Sequence, residues 1–292
     1  MCKECFSVFT GGRKLEVEVL WELYQSGLTY QQIASKTGVS QSTVKRQLKK
    51  VQINYQSPRL SGGVLHLDVT YWGRNKGLIV ALDASSGRVV YHKWIAHESK
   101  QDYLDALTAI RQTGYQVKAV VLDGGVGLAI ASDQVKIQLC QYHFISIIRR
   151  KLTLRPKLQA SQELLSLVKS ITYLPKEKFI ELFTEWQKQW RDFLKEKTVN
   201  EETKRWQYTH KSLRSASLSV QKFSSILFTY QDYPELEIPN TNNAVEGFFT
   251  ALKTALRNHN GLSQENKERF VEGFFRHRDI ARLTNKAQKE EE

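Results

Sequence analysis

GVLHLDVTYW (63–72) alternates in character. Leu65, Leu67, Val69 and Tyr71 fall on one face of an extended segment, and His66, Asp68, Thr70 and Trp72 on the other. Working outward, GRNK (73–76) is a turn and GLIVALD (77–83) a second strand. Ala84-Ser85-Ser86-Gly87 is a second turn and RVVYHKWI (88–95) a third strand. Two short turns imply an antiparallel meander. Ser99 then caps an amphipathic helix, SKQDYLDALTAIRQTG, with Tyr103, Leu107 and Ile110 inward and Gly114 at its end. QVKAVVLD (116–123) has an AVVL core apolar on both faces, as a central parallel strand needs. GGVGLAIA follows, and VKIQLC (135–140) is a further short strand.

The predicted order is β-β-β-α-β-α-β, which is the ribonuclease-H-like order. The expected fold class is α/β: a ribonuclease-H-like mixed sheet with a large all-helical insertion, preceded by an N-terminal helix-turn-helix. In this order the first and fourth strands are neighbours, so Asp68 and Asp123 can converge. Asp68 lies mid-strand on the polar face, where a buried carboxylate is costly unless paired or metal-bound. Asp123 ends an apolar strand, where open α/β sheets place ligands. A divalent cation between two such carboxylates removes their repulsion. Taken alone, Asp123-Gly124-Gly125 reads equally as a turn.

A third acid comes from PNTNNAVEGFFTALKTALRNH (239–259). Val245, Phe248, Phe249, Leu252 and Leu256 form a buried stripe, and Glu246 lies off it, followed by Lys253 and Arg257. A carboxylate followed by two cations suits a metal site beside a phosphate backbone. The competing reading is a capping box, with Asn243 as the cap and Glu246 three residues on.

At the other end of the chain, KLEVEVLWELYQS (14–26) places Leu15, Val19, Leu20 and Leu23 at helical spacing, and Gly27 ends that run. In the next segment Ile33 and Ala34 point inward, Gly38 turns, Val39 packs beneath and Ser40 caps a helix with Val44 and Leu48 four apart. The outward face of that helix carries Gln41, Ser42, Lys45, Arg46 and Lys49, a groove-reading surface. Residues 52–62 read as a linker.

The chain has 292 residues and a net charge of +13, which favours a polyanionic partner. The excess is uneven: residues 1–62 carry +5 and residues 146–238 carry +6. The latter segment opens with Arg149, Arg150, Lys151, Arg155 and Lys157. Its Phe179, Phe183, Trp186 and Trp190 recur at helical spacing and read mainly as core, with base stacking by Trp186, Trp190 or Trp206 the alternative. The segment 265–283 is an amphipathic helix expected to pack on the sheet. No apolar run is long enough for a membrane span, and no secretory signal is present. Three cysteines make no disulfide framework, which fits a cytoplasmic, nucleoid-associated protein.

HLDVTYWG, VVLDGGVG, CQYHF and NTNNAVEGFF, in this order, resemble the signature blocks of DDE transposases of the Mutator-like group of bacterial insertion sequences. The resemblance runs from the helix-turn-helix to about residue 280. It implies that Asp68, Asp123 and Glu246 are catalytic and hold two Mg2+ ions, with Mn2+ able to substitute. It places Cys140 and His143 (the family's C-x-x-H) and Asn243 in support of the site. It implies metal-dependent DNA cleavage and strand transfer, with double-stranded DNA as partner and at least a dimer on DNA. Gln41, Ser42, Lys45, Arg46, Lys49, Arg149, Arg150, Lys253 and Arg257 are the expected DNA contacts. CKECFSVFT resembles the second half of an insertion-sequence zinc ribbon; without the first half, zinc is not expected there. A shared Cys2/Cys5/Cys140/His143 site is disfavoured, because the pairs fall in different domains.

The expected division is therefore a ribbon remnant at 1–12, a helix-turn-helix at 13–51 and a linker at 52–62. The catalytic domain is 63–145 with 239–284, the helical insertion 146–238 and a disordered tail 285–292. The same residues also admit a plain metal-dependent nuclease, or a catalytically silent, transposase-derived DNA-binding regulator.

Overall fold

The computed structural model describes residues 16–51, 53, 55–132, 135–259 and 261–290. The remnant at 1–12, with Cys2 and Cys5, lies outside them. In chain order the elements are α1 (Val17–Gln25), α2 (Tyr30–Thr37), α3 (Gln41–Lys50), β1 (Gly62–Tyr71), β2 (Gly77–Asp83) and β3 (Val89–Ile95). There follow α4 (Lys100–Gln112), β4 (Gln116–Leu122), β5 (Lys136–Leu139), α5 (Gln141–Leu152), α6 (Gln159–Lys169) and α7 (Lys176–Gln189). The chain ends with β6 (Lys197–Val199), β7 (Trp206–Tyr208), α8 (Lys211–Leu227), α9 (Thr229–Asp232), α10 (Asn243–Arg257) and α11 (Gln264–Glu290). Two compact units result: Ser57–Glu246, and 1–56 together with 247–292. This division differs from the one read in the sequence.

In the unit 57–246, five strands form one mixed sheet in the order β3-β2-β1-β4-β5. β1, β2 and β3 are antiparallel neighbours, and β1, β4 and β5 are parallel. This is the ribonuclease-H-like sheet. Leu65 and Leu67 of β1 pack with Tyr103, Ala106, Leu107 and Ile110 of α4 on one face. Ser99 and Asp102 cap α4 reciprocally, as the spacing of these residues requires. On the other face, Val64, Ala119 and Val121 pack against Ile238. The chain crosses from β4 to β5 through a 3-10 segment, Gly125–Ser132, and not through the α-helix expected there. Gly124 and Gly125 both have positive φ, 112° and 63°, so the chain turns sharply directly after Asp123.

The insertion is not all-helical, because β6 and β7 form a two-stranded antiparallel ribbon. It also shares one apolar core with the sheet: Leu139 of β5 clusters with Phe144, Phe179, Trp186, Val220 and Phe228. The edge of β5 is covered. Gln138 Nε2 donates to the Leu227 carbonyl at 3.0 Å, and Thr229 Oγ1 donates to the Ile137 carbonyl at 2.5 Å. The Trp186 indole donates to the Ala160 carbonyl at 3.1 Å and the Trp190 indole to Glu163 at 2.7 Å, so both serve packing. Trp206 is 71% exposed.

In the other unit, α1, α2 and α3 form the helix-turn-helix. Gly38 sits in the left-handed region at φ 73°, and Ser40 caps α3 by accepting from the Thr43 N–H. Ile33, Val44 and Leu48 are buried as expected. In α1 the inward residues are Leu20 and Tyr24, while Val19 is exposed and Leu15 lies outside the described residues. Three short helices bury too little surface to stand alone, and the C-terminal helices supply the rest. Asn258 Nδ2 donates to the Gly27 carbonyl at 2.9 Å, and Arg269 donates to the Leu48 carbonyl at 3.1 Å. Tyr24 meets Phe270 edge to face at 5.4 Å. A Cβ on Gly273 would stand 2.4 Å from the Trp21 ring. The helix expected on the sheet thus has its described packing here, because its apolar face matches α1. It also runs through Glu290, past the expected tail boundary.

Candidate active site

The register of β1 on β4 brings two acids side by side. His66 pairs with Val121 in a parallel ladder, so two residues further on Asp68 comes alongside Asp123. His66 and Asp68 share the polar face of β1, as the alternation requires. Burial, and then the neighbouring Asp123 charge, push the Asp68 carboxyl up to about 7; the Val69 N–H, donating at 2.7 Å, works against that rise.

Glu246 is in the first turn of α10, and His143 in the first turn of α5. The His143 ring joins the two. Its Nδ1 lies 3.2 Å from Asp123 Oδ1, 3.5 Å from Glu246 Oε1 and 3.4 Å from Cys140 Sγ. Hydrogen bonding to Asp123 and then to Cys140 raises the imidazole to about 10. Cys140 is the capping residue of α5, three positions before His143, so both face the same side of that helix start.

Asn242 holds the arrangement from behind. It is completely buried. Its Nδ2 donates to Asp123 Oδ1 at 2.9 Å, and its backbone N–H donates to Cys140 Sγ at 3.3 Å. Its Oδ1 lies 2.9 Å from His66 Nδ1. A carboxylate only accepts, so the amide nitrogen faces Asp123 and the amide oxygen faces His66. His66 therefore carries its proton on Nδ1. Burial lowers its pKa, which keeps the ring neutral. The loop bearing Asn242 is pinned to α5: the Gln141 N–H donates to the Asn240 carbonyl at 3.0 Å, and Asn240 Nδ2 returns a bond to Gln141 Oε1 at 3.0 Å.

The sequence reading singled out Asn243 for this place. Helix α10 begins at Asn243, so the capping position is Asn242, one residue earlier. The missed residue carried one signal, its adjacency to Asn243 ahead of Glu246. His66, two residues before Asp68 on the same face of β1, spends its described hydrogen bond on Asn242.

The structure thus brings together Asp68, Asp123, Cys140, His143 and Glu246. Asp123, Cys140, His143 and Glu246 each offer one ligand atom, all within 4.8 Å of one another. Tyr142, His143, Ser146, Asn243 and Glu246 line an open pocket over them. The expected DNA contacts lie elsewhere. Gln41, Ser42, Lys45, Arg46 and Lys49 are all exposed on α3, with the Lys45 ammonium 5.4 Å from the Tyr30 ring centroid. Arg149 and Arg150 are exposed in the last turn of α5, and Lys253 and Arg257 are exposed on α10. Lys151, Arg155, Lys157 and Lys211 line a cleft between the end of α5 and the start of α8.

A family described as "Sigma-70, region 4" matches residues 16–51. No curated protein matches the sequence. Among solved structures, the chain is similar to the simian T-cell lymphotropic virus intasome in complex with the PP2A regulatory subunit B56 gamma. That similarity has 14% identity over 53% of this chain and 69% of the other, with a TM-score of 0.24. It is also similar to the HTLV-2 integrase catalytic core domain in complex with magnesium, in dimeric form. Here the identity is 18% over 55% of this chain and 99% of the other, with a TM-score of 0.24. The strand order and the helix caps described above, independently of these similarities, give this chain a helix-turn-helix and a ribonuclease-H-like sheet.

Proposed function

We propose that this protein is a DNA transposase of the DDE type, a metal-dependent enzyme that nicks DNA at the ends of a mobile element and joins those ends to a target. The observation that carries the reading is the convergence of Asp68 and Asp123 from adjacent parallel strands, with Glu246 reached through His143.

The donor set fits divalent metal. Burial and then Asp123 push the Asp68 carboxyl up to about 7, and a cation between the two carboxylates would relieve both penalties. Asp68, Asp123 and Glu246 would hold Mg2+, or Mn2+ in its place. When bound, the metal supplies Lewis-acid stabilisation of charge in an in-line phosphodiester displacement. The remaining work falls to the chain. Asn242 orients the Asp123 carboxylate, and neutral His66 orients Asn242 in turn. His143 balances the negative charge of Asp123 and Glu246 until the site is filled. Gln41 and Arg46 read base edges, while Ser42, Lys45 and Lys49 hold phosphates. Arg149, Arg150, Lys253 and Arg257 add phosphate contacts outside the site. Pairing two DNA ends calls for at least a dimer on DNA.

The test is a nicking and joining assay with Mg2+ or Mn2+ on DNA carrying the element's terminal repeats. Nicking followed by joining is the expected result. Nicking without joining makes the protein a nuclease of the same fold. Binding without any cut under either metal removes the enzymatic reading and leaves a DNA-binding regulator.

A further inference from the structure

We propose that Asp123, Cys140, His143 and Glu246 form a four-ligand site for a borderline transition-metal ion of the zinc class, distinct from the magnesium set because it takes in Cys140 and His143 and leaves out Asp68. The site stands on its own geometry. Its consequence for catalysis rests on the reading above.

The donor chemistry comes first. One thiolate, one imidazole nitrogen and two carboxylate oxygens are ligands that Zn2+ and Co2+ accept. Mg2+ prefers six hard oxygens and retains several waters. A site built for magnesium alone has no use for a buried sulfur at its centre, yet Cys140 Sγ is one of the four converging atoms.

The distances agree. Metal bonds of about 2.0–2.3 Å put the edges of a tetrahedron at about 3.3–3.7 Å. The three edges from His143 Nδ1 measure 3.2 Å to Asp123, 3.4 Å to Cys140 and 3.5 Å to Glu246. The remaining pairs lie within 4.8 Å, so small side-chain movements close the set. A single ring nitrogen carries one hydrogen, and three acceptors around it share that hydrogen poorly. A cation at the centre would serve all four groups.

The surroundings support the ligands. Asn242 donates to two of them, from its side chain to Asp123 and from its backbone to Cys140. Cys140 stands at the start of the twelve-residue helix α5, three positions before His143, so the helix start presents both ligands to one point. The open pocket beside His143 and Glu246 gives an ion entry. Occupancy would take Asp123 and Glu246 away from the magnesium set. Zinc is then an inhibitor of magnesium-dependent cleavage at this site.

The experiment uses the full-length chain carrying Cys2→Ser and Cys5→Ser, so that Cys140 is its sole thiol. Metal-free protein is titrated with Co2+ and followed by absorption. The expected result is about one Co2+ per chain, with a thiolate-to-cobalt charge-transfer band and intense visible bands of four-coordinate cobalt, both abolished by an equivalent of Zn2+. Cys140→Ser loses the charge-transfer band, His143→Asn weakens binding at least about tenfold, and Asp68→Asn keeps both bands. Circular dichroism checks that each variant is folded. A cobalt spectrum without thiolate character, or bands lost in Asp68→Asn, overturns the proposal. Absent cobalt bands beside intact magnesium-dependent nicking remove this site alone. Cobalt bands without nicking leave the site standing and remove the transposase reading.

Discussion

Asn242 Nδ2 donates to Asp123 Oδ1 at 2.9 Å, while the other end of the same amide engages His66. One buried side chain thus fixes the direction of a candidate metal ligand. Asn242→Asp replaces the donor with a carboxylate facing Asp123. It is expected to lower single-turnover nicking by at least about a hundredfold, with DNA binding by the helix-turn-helix unchanged. Asn242→Ala leaves buried partners unpaired and is expected to cost about 1–3 kcal/mol in denaturant unfolding. Wild-type nicking in Asn242→Asp would remove the orienting role.

Asp68 gives the metal-free protein a pH signature. Its carboxyl stands at about 7 in the folded chain against 3.8 for an ordinary aspartate. Between those values the folded protein holds a proton that the unfolded chain has released. Stability therefore falls as pH rises through that window and levels off above it. Asp68→Asn removes the penalty. In chelator at pH 8 the variant is expected to melt roughly 5 °C higher than wild type, and the difference should close near pH 4. Equal melting at pH 8 would mean that Asp68 is not strained by its surroundings.

How far the site could be read in the sequence follows from chain distance. Asp68 and Asp123 were legible because alternation in β1 and the apolar run of β4 fix both their faces and their neighbourhood. Val245, Phe248, Phe249, Leu252 and Leu256 are buried as their spacing required. The role of Asn242 was not legible, since it depends on a helix starting one residue earlier than the cap pattern indicated. The joining of His143 to Asp123 and Glu246 depends on contacts 20 and 103 positions away in the chain. No local pattern encodes those contacts. The 3-10 crossover escaped because GVGLAIAS is apolar enough for a helix. Gly127 reveals the reason only in three dimensions, where a Cβ would stand 2.9 Å from the Tyr103 ring.

The docking of the C-terminal helices on α1–α3 predicts that the helix-turn-helix does not fold by itself. Arg269 reaches the carbonyls of Leu48, Lys49 and Val51 at the end of α3. The fragment 1–56 is expected to show little helical circular dichroism and no cooperative melt. Arg269→Ala in the full chain should lose about 1–3 kcal/mol in unfolding of this unit. A cooperatively folded fragment would contradict the dependence.

The exposed face of α3 makes a separable prediction. Lys45→Ala with Lys49→Ala should weaken DNA binding on any sequence and flatten the salt dependence by about two units of slope. Arg46→Ala should cost about 1–3 kcal/mol on the preferred sequence and relax its selectivity. Electrophoretic mobility shifts at several salt concentrations distinguish the two. Unchanged slopes would move the DNA-binding face elsewhere.

The most direct measurement is magnesium- and manganese-dependent nicking of DNA carrying the element's ends, by wild type beside Asp68→Ala, Asp123→Ala and Glu246→Ala. The account predicts that all four proteins bind that DNA alike and that only wild type cuts it. A variant that binds and still cuts would contradict the assignment of that carboxylate, and wild type that binds and never cuts under either metal would contradict the enzyme.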